Sequence, residues 1–379
     1  MTSEYVMCTR CIMDTTDSEI VFDDSGICNH CRRYDEIAAR KLFNGQVGER
    51  KLQEIAAVIK TEGKGREYDS IIGLSGGVDS SFTAYHAWRM GLRPLVVHFD
   101  NGWNSEVSVR NIEKVVRKLG FDLHTYVIDW EEFKDLQLSF LKASVIDIEM
   151  LTDHAMMAAM FNLARERKIR HILSGTNVVT EGIMPRSWLY SKWDIKNIKG
   201  IQKQFGNVRL KEFPTCGLIT MLVLQHLRGY HYVEILNYVD YNKKEAIEIL
   251  RNQLGWQTYG GKHHESIFTK FYQNYILPAK FGVDKRRAHL STLICSGQMT
   301  RAQALEEMNI PLYNEEDFSR DKAYVLKKLS LDEEEFEDLM CLPIKSHTDY
   351  PNSQWLLPVL AAIREFIKRD GSSGIRSSG

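Results

Sequence analysis

Ser75-Gly76-Gly77-Val78-Asp79-Ser80 packs two glycines, two serines and an acid into one short run, a composition suited to holding a phosphate. Glycines let backbone N–H groups come close to an anion, and a helix beginning at once adds partial positive charge. The spacing is neither GxxxxGK[ST] nor GxGxxG, so this is not a Walker loop or a dinucleotide fingerprint. Cysteines offer a second chemistry. Cys8-Thr9-Arg10-Cys11 and Cys28-Asn29-His30-Cys31 are CxxC knuckles separated by residues 12–27. Two facing knuckles present a tetrahedral set of thiolates, which Zn²⁺ fits best; an iron–sulfur cluster or redox dithiol is the alternative. A closed four-thiolate site has no open position, so its expected role is structural, with His30 beside the site rather than in it.

Other polar groups fall where ligands are expected. His98-Phe99-Asp100-Asn101-Gly102-Trp103 offers an acid for ribose hydroxyls or Mg²⁺ and backbone groups for an adenine edge. The plainer alternative is an aspartate capping a tight turn, with Trp103 either a substrate platform or a lid over the core. Gly175-Thr176-Asn177 permits close approach to phosphate, and Glu181 is a second Mg²⁺ contact beside Asp79; the alternative is a capped helix start. Gly260-Gly261-Lys262-His263-His264-Glu265-Ser266 is not HExxH, and adjacent helical histidines point roughly 100° apart. Lys262 near phosphate and His264 as proton acceptor are set against a solvated helix cap. Lys285, Arg286 and Arg287 are matched to a diphosphate, or form a solvated basic face.

The elements that must position these groups alternate. Strands are expected at Ser70–Leu74, Leu95–Phe99, Leu123–Ile128 and His171–Ser174, with helices at Asp79–Met90, Ser105–Leu119 and Asp153–Lys168 between them. Such alternation implies an α/β fold with a parallel sheet and ligands at the carboxyl ends of its strands. Tyr34–Phe43 and the apolar spacing in Lys51–Lys60 read as helices ahead of the sheet. Residues 184–206, which include Arg186, read as a polar, basic excursion over the active-site mouth. Val208–Lys211 is a candidate fifth strand. From Cys216 onward the pattern is mainly helical: Leu218–Arg228, Lys243–Leu254, Glu265–Tyr275, Arg301–Met308, Asp332–Met340 and Trp355–Lys368. The expected organisation is a zinc ribbon over 1–45, a nucleotide-binding domain over 46–240, a helical substrate-binding region over 241–370 and a flexible tail over 371–379.

Composition sets outer bounds. The 379 residues are 44% hydrophobic and carry a net charge of −1. That balance disfavours a broad nucleic-acid surface. No apolar run is long enough for a membrane span and the N-terminus lacks a signal pattern, so a cytoplasmic location is expected. Seven cysteines, an odd number, argue against a disulfide framework.

Strand, SGGVDS loop and helix together resemble the PP-loop ATP pyrophosphatases. The resemblance implies a Rossmann-like sheet whose loop, Leu74 to Ser80, grips the β- and γ-phosphates of ATP, with Mg²⁺, so that AMP passes to a substrate oxygen. The wider set of ribbon, SGGVDSS, HFDNGW, SGTN and KHHESIFTKFYQNYILPAKFGVDKRRAHLS resembles the N-acetyl sugar amidotransferases, from about Cys8 to Met308 or beyond. That family implies conversion of an acetamido group on a nucleotide-linked or related sugar to an acetamidino group through an O-adenylyl imidate. It also implies ammonia from a separate glutaminase/cyclase pair and a place in lipopolysaccharide, O-antigen or nonulosonic-acid biosynthesis. Two alternatives stand beside it: a PP-loop tRNA thiolase, with Cys216 and Cys295 as a reactive pair, and a non-catalytic ATP sensor.

Overall fold

The computed structural model describes residues 5–258 and 265–356. Lys262 and His264, and the expected helix and tail beyond residue 356, lie outside the described residues. Two CxxC turns lead into α1 (Asn29–Lys41) and α2 (Gly45–Glu62). The sheet begins with β1 (Ser70–Gly73), followed by α3 (Val78–Arg89), β2 (Pro94–Asp100), α4 (Glu106–Leu119) and β3 (Asp122–Val127). Two helices, α5 (Trp130–Ala143) and α6 (Met150–Glu166), precede β4 (His171–Ser174) and the single turn α7 (Val178–Glu181). Next come α8 (Ile195–Phe205), α9 (Leu218–Leu227), β5 (His231–Glu234) and α10 (Lys243–Leu254).

All strands pair in parallel, in the order β3-β2-β1-β4-β5. The first strand is therefore central, and the chain reverses direction across the sheet beside it, the position where open α/β sheets bind ligands. Apolar β1 and β4 are covered on both faces. Ile72, Phe82, Val96 and Leu173 pack with α2, α3, α4 and α10 on one side. Ile71, Val97, Phe161 and Ile172 pack with α6 and α9 on the other.

The remainder is helical: α11 (Ile267–Phe271), α12 (Leu277–Phe281), α13 (Arg286–Cys295), α14 (Arg301–Met308), α15 (Glu315–Leu329) and α16 (Glu333–Cys341). A π turn, Tyr272–Ile276, joins α11 to α12, and the Leu277 N–H reaches back to the Tyr272 carbonyl. Pro278 follows immediately and has no N–H to continue the α ladder. Among the described residues no helix is long and apolar enough to cross a membrane.

Two expectations need correction. Residues 208–211 are not a strand, because the N–H groups of Lys211, Glu212 and Phe213 all bond the buried carboxylate of Glu132. The fifth strand is instead His231–Glu234, paired to β4. Residues 184–206 are not an excursion over the cavity. They carry α8, whose Ile198 and Ile201 are buried together with Trp188 in the helical core.

Candidate active site

The hexapeptide loop is built by backbone. Leu74 N–H bonds the Val97 carbonyl at 2.8 Å, holding the end of β1 against β2. The Ser80 hydroxyl accepts from Ser75 N–H and donates to the Gly77 carbonyl, each at 3.3 Å, closing the turn. Gly76 sits at φ +80°, and a Cβ there would come within 2.4 Å of the Ser108 carbonyl oxygen. Its own carbonyl accepts from Trp256 Nε1 at 2.9 Å. Gly175 at the end of β4 is equally constrained, since a Cβ would lie 2.8 Å from the backbone of Asp79 and Ser80. Gly77 caps α3 with no side-chain bond to the first-turn N–H groups. Asp79, in that first turn, accepts from Thr180 Oγ1 at 3.4 Å and from the Tyr241 hydroxyl.

The loop opens onto a cavity of about 920 Å³ at the carboxyl ends of the strands. Leu74, Ser75, Gly77, Val78, Asp79 and Ser80 form its floor, with Phe99 from β2 and Gly175, Thr176 and Glu181 from the β4 end. Lys285 and Arg286 line the far wall. These expected residues from four separate stretches therefore share one cavity.

Others are placed elsewhere. Gly76 lies beneath the floor, with its carbonyl turned to Trp256. Asp100 holds the turn after β2, accepting from Gly102 N–H at 2.9 Å and Asn104 Nδ2 at 3.0 Å. His98 is buried beside that turn, and burial lowers its pKa. Asn177 caps α7 through Thr180 N–H at 2.9 Å. Trp103 is 1% exposed and packs on Trp130 and Phe268, so it is core rather than a substrate platform. Arg186 lines a separate depression beside His30 and Arg33. Arg287 pairs with the buried Asp14 at 2.7 Å and bonds the Ile12 carbonyl, tying α13 to the N-terminal knuckles.

Sequence reasoning missed Glu149, which lines the cavity, and Asp147 close to it in the chain. Asp147 and Glu149 stand in the apolar run Val145-Ile146-Asp147-Ile148-Glu149-Met150; two acids in such a setting were the available signal. Asp147 is fully buried and bonds Lys192 Nζ at 2.9 Å. Burial alone would raise its pKa, but Lys192 and Lys285 more than offset this and hold it below the ordinary carboxylate range. Glu149 lines the cavity, and burial pushes its pKa up to about 7. Lys285 is 6% exposed, its ammonium 5.5 Å from the Tyr272 ring centre, and burial lowers its pKa. Tyr241 gave no local sign of its contact with Asp79, because that contact is made only by the fold.

The knuckle cysteines converge. Cys8, Cys11, Cys28 and Cys31 are all buried, with their sulfurs within 4.8 Å of one another. The closest pairs are 3.7 Å (Cys11–Cys28), 3.8 Å (Cys28–Cys31) and 3.9 Å (Cys8–Cys31). Zn–S bonds near 2.3 Å give a tetrahedral S···S edge of about 3.8 Å, so the donor set fits zinc. Backbone N–H groups of Cys11 and Cys28 point at the Cys8 sulfur, as suits a thiolate. His30 is not a donor to this cluster, since its Nε2 lies 2.6 Å from Asp17 Oδ2. Arg301 bonds the carbonyls of Cys8 and Cys11, and Ser291 receives Ile12 N–H. The ribbon is thereby fastened to α13 and α14, behind the helix whose first turn presents Arg286 to the cavity.

Comparison with known proteins adds two family matches. Residues 265–364 match the model described as "LPS biosynthesis protein WbpG-like, C-terminal domain". Residues 65–180, which contain the loop, match "Thiamine biosynthesis protein (ThiI)". No curated protein matches the chain. Solved structures with some likeness include NMN synthetase from Francisella tularensis, at 14% identity and TM-score 0.30, covering 60% of this chain and 93% of that one. NH3-dependent NAD synthetase from Campylobacter jejuni, in complex with nitrate, gives 12%, 0.30, 55% and 85%. A predicted subunit of tRNA methyltransferase from Methanocaldococcus jannaschii gives 12%, 0.29, 48% and 75%.

Proposed function

The chain belongs to the PP-loop ATP pyrophosphatase superfamily and is related to WbpG, and from that premise we propose that it is an ATP-dependent N-acetyl sugar amidotransferase. The acceptor is an acetamido sugar on a nucleotide or related carrier. Its amide oxygen attacks the α-phosphorus of ATP, pyrophosphate leaves, and ammonia then displaces AMP to give the acetamidine. A separate glutaminase/cyclase pair would supply that ammonia. An amide oxygen is a poor leaving group, and adenylation makes it a good one.

The observation that carries this reading is the shared cavity. It joins a glycine-rich loop to a wall with buried Lys285 and half-buried Arg286, and that wall falls within the WbpG-like match. Backbone N–H groups of the loop and the first turn of α3 would hold the departing pyrophosphate. Asp79 and Glu181 would hold Mg²⁺, which draws charge from the phosphate oxygens. Lys285 and Arg286 would take the anionic carrier of the acceptor. Zinc in the thiolate cluster would stabilise the ribbon and hence the seat of α13; metal analysis of Cys11→Ser should show lost zinc together with lost stability.

The test is incubation with Mg-ATP, ammonia and candidate N-acetylated nucleotide sugars. Mass spectrometry should show oxygen replaced by NH, with AMP rather than ADP formed. ADP, or no acceptor-dependent AMP across such sugars, would sink the proposal. The match over 65–180 is compatible with a second reading, a PP-loop tRNA thiolase. That chemistry would place a cysteine at the cavity, whereas none of the seven cysteines lines it.

A further inference from the structure

Resting on the amidotransferase reading, we propose that Glu149 is the general base of the second half-reaction, taking the proton from ammonia as it adds to the adenylated acceptor. The residue sits at the N-terminus of α6, a helix that runs along the cavity. Glu149, Asp153, Met156 and Met160 line it from one face of that helix. Met160 reaches the end of β1, where its sulfur lies 2.9 Å from where a Cβ on Gly73 would be. Glu149 stands about 16 Å further along the helix axis, away from the sheet. It therefore faces the acceptor part of the cavity rather than the adenine or phosphate part.

Its surroundings leave it ready to accept a proton. Oε2 accepts one bond, from Thr269 Oγ1 at 2.8 Å. Oε1 is buried and has no hydrogen-bond partner among the described residues. The residue is 8% exposed and lines the cavity. A buried carboxyl with one bare oxygen is costly unless a ligand completes it. The charged and titratable groups around it are Asp153 on its own helix, Lys285 at the start of α13, and Lys192, Asp147 and Tyr272 nearby. Glu265 and His289 line the same cavity. Burial raises the Glu149 pKa to about 7, with Asp153 adding to it and Thr269 and Lys285 opposing. A base poised near neutrality combines readiness with driving force.

The step balances. The adenylated acceptor retains its amide N–H and is an imidate cation at carbon. The ammonia lone pair forms the new C–N bond, giving a tetrahedral adduct with an NH₃⁺ group. The Glu149 carboxylate removes one proton. The nitrogen lone pair then expels AMP, which leaves with the C–O bonding pair and the former amide oxygen, and the product is the amidinium. The protonated Glu149 returns its proton to the departing phosphate or to water.

Two readouts separate this claim from its premise: acceptor-dependent exchange of labelled pyrophosphate into ATP, which reports adenylation, and amidine formation. Glu149→Gln should keep exchange within about threefold while amidine formation falls about a hundredfold or more. At fixed free ammonia, wild-type amidination should rise with pH through about 7, and that rise should vanish in the variant. Thr269→Val removes a bond that favours the carboxylate, so it should move the rise to higher pH. Undiminished amidination in Glu149→Gln, or an unchanged pH profile, would overturn the assignment. So would loss of exchange together with amidination, which would make Glu149 a residue of activation or folding. Absence of exchange in the wild-type protein with any acetamido sugar would instead remove the premise.

Discussion

The wall proposed to hold phosphate comes chiefly from one short run, Leu74–Ser80, and is fixed by backbone contacts to Ser108, Val97 and the end of β4. The wall proposed for the acceptor is gathered from α6, the π turn after α11 and the first turn of α13, and includes the buried, charged side chains of Glu149 and Lys285. Backbone geometry tolerates almost no substitution but is local, so it can be recognised in a linear sequence. Buried side-chain networks are specified by contacts between distant segments and are costly when one member is lost. The two walls should accordingly fail in different ways.

The largest difference is expected at Asp79. Asp79→Ala should remove AMP formation by about a thousandfold, and pyrophosphate exchange with it, because the lost group acts where charge develops. The variant should remain folded with a somewhat lower thermal midpoint, because Thr180 and Tyr241 lose their acceptor. Residual exchange near the wild-type rate would show that the loop does not hold the nucleotide. Lys192→Met attacks the other wall through stability instead. It strands Asp147, which is fully buried, and breaking such a pair costs about 3–5 kcal/mol. The sign with pH follows from Asp147. Its folded pKa is depressed, so the contribution is full at neutral pH and is lost as pH falls through the folded value. Without Lys192 that contribution is absent, so the stability gap between wild type and Lys192→Met should be widest at neutral pH and should narrow on acidification. A gap of constant size across a pH series of urea melts would count against this.

Of the two substrates, Lys285→Met should affect the acceptor and not ATP. Losing one charged hydrogen bond corresponds to about a tenfold to hundredfold rise in acceptor KM, while KM for ATP stays near its wild-type value. A rise in both would mean that the walls are not separate in function.

The same contrast explains what the sequence disclosed. The strand–loop–helix around Gly76 and the two CxxC knuckles carry their chemistry within a few residues, and their geometry follows from local spacing. β5 was not legible, because His231-Tyr232-Val233-Glu234 is a strand only by pairing with β4. Its competitor at Val208–Lys211 has a reasonable strand composition, but Glu132 claims the N–H groups that follow it. The run Lys280 to His289 looked like one basic patch and is several separate devices. Lys280 caps the carbonyls at the end of α16, Arg286 pairs with Asp284, and Arg287 reaches Asp14. A charge run shows how many cations are present; the partners that divide them belong to the tertiary structure.

The smallest expected effect is the most discriminating for the chemistry. Cys216 belongs to the core under β1 and β4, where burial pushes its thiol up. Cys295 ends α13, with its sulfur 3.7 Å from that of Cys31. The two occupy different packing clusters, so they are not placed to form a disulfide or relay sulfur. The raised pKa of Cys216 also leaves little of its thiolate for attack. Substituting both, as Cys216→Ala with Cys295→Ser, should leave amidine formation within about twofold once any change in fold stability is corrected. A sulfur-transfer enzyme would lose turnover altogether. A collapse of activity in a folded, zinc-replete double variant would therefore move the chemistry away from ammonia and toward the thiolase reading, with the phosphate wall unchanged and the acceptor wall reassigned.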